Sequence, residues 1–78
     1  MALSPQIILD ILTHSGSVRV SIKGLYPDVM KQYAVAAKTG GAFVEFVAGG
    51  ANVFPEMLND VSSAGEGHVR WDFVSHAE

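Results

Sequence analysis

The 78-residue sequence contains no cysteine, which excludes disulfides, thiol nucleophiles, thiolate zinc sites and dithiol redox motifs. A cysteine-free chain fits a reducing compartment, and the cytoplasm is the expected location. Cations are few. Five Lys and Arg face eight Asp and Glu, for a formal charge of −3, and they are scattered rather than blocked, so no footprint for duplex phosphates is formed and nucleic acid is not an expected partner. Long apolar runs are missing as well. Runs such as Ile7 to Leu9, and Phe43 to Val44 with Phe46 to Gly50, fall far short of the roughly 20 residues of a membrane span. No basic segment precedes an apolar one, so neither a membrane partner nor a signal peptide is expected.

The chain is 49% apolar and 17% charged, too hydrophobic for a disordered tail and long enough for one domain, residues 1–78. A domain of this size buries only about 60% of the surface its unfolded chain exposes. With no disulfide to compensate, association between copies is the natural remedy, and a homo-oligomer is expected.

Pro5, Pro27 and Pro55 each precede an apolar stretch with helical spacing, where proline suits a first turn because the N–H it lacks would be unbonded there. Ser4 is a candidate N-cap, and Asp28 and Glu56 favour the positive end of the helix dipole. The spacing predicts helices over 5–13, 27–38 and 55–64, with the second stopping at Gly40-Gly41 and the third at Gly65. Between them, 17–23, 42–48 and 68–75 are rich in β-branched and aromatic residues and predict strands. The first alternates Val18, Val20 and Ile22 against Arg19, Ser21 and Lys23, and the third sets Val69, Trp71 and Phe73 against Arg70 and Asp72. The middle one is apolar on both sides except at Glu45, as expected of a central strand.

Tyr26-Pro27-Asp28-Val29-Met30 matches Phe54-Pro55-Glu56-Met57-Leu58 in residue type at every position, and Glu45-Phe46-Val47 matches Asp72-Phe73-Val74. The chain therefore reads as three helix–strand units. Short connections favour right-handed crossovers. The expected fold is a small two-layer α/β domain with about three strands, mainly parallel or mixed, and helices on one face.

Parallel strands would bring Lys23-Gly24-Leu25-Tyr26 and Ala48-Gly49-Gly50-Ala51-Asn52 to one end of the sheet, each leading into a helix. Lys23, Gly24, Gly49, Gly50 and Asn52 are the candidate ligand-binding residues, with backbone N–H groups and two side-chain donors available to an anion. The spacing matches neither a P-loop nor a dinucleotide fingerprint, so no cofactor is expected, and glycines that simply make turns explain the same residues. His14, His68 and His76 have no close-spaced partner, and no metal site is expected. His14 and His68 would approach only if the first and third strands were neighbours.

Ile7, Ile8, Ile11 and Leu12 give the first helix more apolar surface than one sheet hides, and Arg19, Glu45 and Arg70 lie one per strand on the polar sheet face. These are the candidate interface residues. Trp71 is expected in the core, and Tyr26 and Phe54 are expected to staple helix starts to the sheet, or, if exposed, to act as aromatic anchors beside the glycine loops. No catalytic constellation is found. The expected function is a non-catalytic interaction module of adaptor or inhibitor type that binds itself and an unidentified protein partner. Small phage-encoded inhibitors of host proteins share this compact acidic composition, as do many unrelated proteins. The alternative is an anion- or small-ligand-binding module using loops 23–26 and 48–53.

Overall fold

In a computed structural model, which describes residues 4–76, helices and strands alternate as α1 (Pro5–Thr13), β1 (Val18–Ser21), α2 (Pro27–Gly40), β2 (Val44–Gly49), α3 (Pro55–Gly65) and β3 (Val69–His76). Ser4 caps α1, its hydroxyl accepting the Ile7 N–H at 3.4 Å, and each helix starts on its proline. The three strands form one parallel sheet in chain order, β1-β2-β3, so the all-parallel form of the expected sheet is the one adopted. Val18, Val44 and Val69 stand in one row across it, followed by Arg19, Glu45 and Arg70, then Val20, Phe46 and Trp71.

The core lies between the sheet and the helices. Leu12 of α1, Met30, Tyr33 and Ala37 of α2 and Val61 of α3 close over Val44 and Phe46 of β2, with Val20, Val69 and Trp71 packed against them. Trp71 keeps its indole satisfied by donating to Ser62 Oγ at 2.8 Å and packs tilted against Phe46, with centroids 5.0 Å apart. α2 is central in the helical layer and touches both α1 and α3. It passes so close to the end of α1 that a Cβ at Gly40 would collide with the Leu12 carbonyl, and Ser15 Oγ donates to the Gly40 carbonyl at 2.5 Å.

Two expectations about helix ends are corrected. α3 does not use Gly65 as its terminator. That glycine is buried inside the helix, where a Cβ would press on Val69 and Ala34, and the left-handed cap is Glu66 at φ +46°. Tyr26 and Phe54 do not staple their helices either. They are the N-caps, 76% and 66% exposed. A hydrophobic staple joins N′ to N4, and here those positions hold Leu25 with Met30 and Val53 with Leu58, one residue before each aromatic. Leu25 and Val53 accordingly pack against the core.

Candidate functional site

The helices cover only one face of the sheet. On the other, Arg19, Glu45 and Arg70 share a row, with Asp72 and Ser75 beyond. This open face is organised by Arg19, whose Nε donates to Glu45 Oε2 at 2.7 Å and whose Nη2 donates to Asp72 Oδ2 at 2.6 Å and to Ser75 Oγ at 3.1 Å. The guanidinium thus spans β2 and shields Val47, which faces this side yet is only 6% exposed. Asp72 Oδ1 accepts the N–H groups of Val74 and Ser75 at 2.9 and 3.0 Å. These backbone bonds, first that of Ser75 and then the Arg19 bond, hold the Asp72 carboxyl well below the usual carboxylate range, and the Asp72 and Glu45 bonds raise Arg19 in turn. The same turn produces the register shift at the end of β3, where His76 rather than Val74 stands beside Gly49.

Arg70 is the exception in this row. Its guanidinium lies over the Phe43 ring, 4.5 Å from the centroid, and among the described residues it forms no ion pair. Phe43 also stacks with His68, at 5.4 Å between centroids. The sequence marked the charged row correctly, but nothing in it distinguished a paired Arg19 from an Arg70 resting on an aromatic ring.

At the carboxyl ends of β1 and β2 the two glycine loops enclose a cleft of about 360 Å³, lined by Lys23, Gly24, Gly50 and Asn52 together with Leu25 and Met57. Gly49 is adjacent but does not line it. The glycines have structural duties here. A Cβ at Gly49 would meet the Ser75 and Phe73 carbonyls, and Gly50 adopts φ +77° with the His76 ring against it. The rule that open α/β sheets bind ligands beyond their strand ends applies where strand order reverses. In β1-β2-β3 it never does, so the topological argument for this cleft falls away.

Of the four α1 candidates, Ile8 and Leu12 are core residues and are not available to a partner, whereas Ile7 and Ile11 are exposed. The helix is apolar on more than one face, and α2 and β1 take up only part of it. His14 and His68 are kept apart by β2, contrary to the condition for their approach. Each ring donates locally from Nδ1, His14 to the Asp10 carbonyl at 2.8 Å and His68 to the Ala42 carbonyl at 2.7 Å. Among the described residues no group of three or more potential metal ligands occurs, and no helix is long and apolar enough to cross a membrane. Neither protein-family models, curated proteins nor solved structures give a match to this chain.

Proposed function

We propose that this chain is a non-catalytic protein-interaction module, of adaptor or inhibitor type, that associates with a second copy of itself and binds a protein partner on the open face of its sheet. The observation that carries this reading is the bare face. Parallel sheets are ordinarily covered on both sides, and this one leaves a row of charges, Arg19, Glu45 and Arg70, uncovered beside Phe43 and the immobilised Asp72. Mixed charges with a stacked Arg and an aromatic ring favour a protein surface of matching mixed charge over a uniformly charged polymer. Tyr26 and Phe54 add two exposed aromatics at one end.

The test is affinity enrichment from lysate of the source cells with the wild-type chain, with Arg19→Glu, and with Lys23→Ala. The reading expects one partner to be captured by wild type and Lys23→Ala and lost with Arg19→Glu, provided that circular dichroism shows the variant folded. Capture unaffected by Arg19→Glu refutes the open face as the docking surface.

The cleft supports a second reading. Its volume lies within the roughly 300–1,000 Å³ of small-ligand pockets, and Lys23 and Asn52 line it. This reading expects inorganic phosphate to raise the melting temperature at constant ionic strength, and Lys23→Ala to remove that rise.

A further inference from the structure

Among the described residues, the outer edge of β3 is the one long strand edge left without a neighbour. In a parallel ladder a residue directs both its N–H and its C=O to the same side. Val44 N–H donates to the His68 carbonyl at 3.0 Å, so Arg70 turns its backbone groups towards β2, and Val69 and Trp71 turn theirs outwards; beyond Asp72 the register shifts and the Phe73 carbonyl lies against Gly49 of β2. The other edge, β1, is four residues long against eight for β3. β1 is partly closed as well, because the Lys23 N–H donates to Ser21 Oγ at 3.1 Å. An exposed edge with Trp, Phe and Val side chains and no Pro or Lys is a template for another strand.

We propose that β3 pairs antiparallel with β3 of a second copy, on a two-fold axis through Trp71. The proposal specifies the self-association part of the reading above, while partner binding on the open face stands or falls separately. The register follows from charge. Backbone pairing requires outward residues to face outward residues, which leaves registers centred on Val69, Arg70, Trp71, Asp72 or Phe73. Centring on Arg70 or Asp72 sets like charges directly opposite each other across the axis, which destabilises a sheet. Centring on Trp71 sets each Arg70 opposite the other copy's Asp72, on the open face, and gives Arg70 a carboxylate, which it lacks among the described residues of its own chain. On the helix side the same register places Trp71 against Trp71 and Val69 against Phe73. Centring on Val69 or Phe73 moves both charged residues away from opposite-charge partners. Continuing the sheet head to tail, with β1 of the next copy added in the existing row, sets Arg70 beside Arg19, so the charges also oppose an open filament.

Size points the same way. Three strands about 4.8 Å apart and about six residues long present a bare face of roughly 300 Å², well short of the roughly 800 Å² per partner of a standard interface. Joining two copies edge to edge doubles that face and makes it continuous.

The experiment uses the full chain. Light scattering behind size exclusion, across a wide concentration range, is expected to give a dimer, and amide exchange is expected to slow at Trp71 and Phe73 as concentration rises, while Arg19 on the β1 edge is unchanged by concentration. Arg70→Asp, which sets two Asp pairs face to face, is expected to weaken the dimer by roughly tenfold or more, and Arg70→Lys to retain it. A monomer at all concentrations overturns the proposal, and so does a dimer in which the β1 amides slow instead or Arg70→Asp has no effect. The exchange data need no variant, so they decide even if Arg70→Asp folds poorly. A monomer that still captures a partner through the open face removes only the dimer.

Discussion

Arg19 on β1 and Asp72 on β3 are joined at 2.6 Å although no backbone ladder connects their strands, and β2 lies beneath the bridge. The bridge is expected to set the acid limb of stability. The native Asp72 carboxyl titrates well below its usual range, so in acid the unfolded chain takes up the proton first. The contribution is fully present above the unfolded value of about 3.9 and is lost as pH falls from there towards the native one. Urea midpoints measured from neutral to acid pH should therefore fall less steeply for Asp72→Asn than for wild type. Equal slopes would mean that the bridge does not act in solution.

At the alkaline end the relevant group is Tyr33. Burial among the core residues raises its phenol above the ordinary value. A raised native value stabilises the fold fully below the unfolded value of about 10 and loses that contribution as pH rises through the native one. Tyr33→Phe should remain folded at pH values where the wild type has begun to unfold, a comparison that circular dichroism makes directly.

The two sides of α1 should respond differently. Leu12 is wholly buried, and Leu12→Ala is expected to cost about 2–5 kcal/mol. Ile7→Ala, at an exposed position, should change stability by no more than about 0.5 kcal/mol. Denaturant unfolding of both variants checks this, and similar losses at the two positions would contradict the placement of α1.

Gly40 is a packing glycine. Gly40→Ala drives a methyl into the Leu12 carbonyl, which belongs to a rigid helix end, and about 1–3 kcal/mol of destabilisation is expected. Gly24 has open space around it and φ +82°, so Gly24→Ala should cost only the roughly 1–2 kcal/mol of a left-handed backbone. Thermal melts of the two rank them. If Gly24→Ala proves the worse, the contact between α1 and α2 is looser than described.

Most of the fold was legible because its signals are local. Prolines mark the helix starts, alternation in 17–23 and 68–75 marks the buried side of the sheet, and the doubly apolar 43–47 stretch marks the centre. Position-by-position duties were harder to read. Gly65 looks like a terminator and serves packing, because the residues that meet it, Val69 of β3 and Ala34 of α2, lie outside its own helix. Tyr26 and Phe54 match each other, but the match does not show which neighbour turns inward. That depends on the extended backbone at the N-cap, which hands the staple to Leu25 and Val53. Of the candidate sites, the row Arg19, Glu45 and Arg70 was readable from the alternation alone. The unequal fates of its two arginines were not, since Asp72 reaches Arg19 from β3 and Phe43 reaches Arg70 from just before β2.

The chain-ordered sheet has a consequence for how the molecule assembles. β2 is the shared member of two βαβ crossovers of similar span, one returning from β1 through α2 and the other leading to β3 through α3. Loop-closure entropy grows only slowly with length, so the two halves face nearly equal entropic barriers and neither is the obligatory nucleus. The Arg19–Asp72 bridge needs both halves in place, since it joins β1 to β3 across β2.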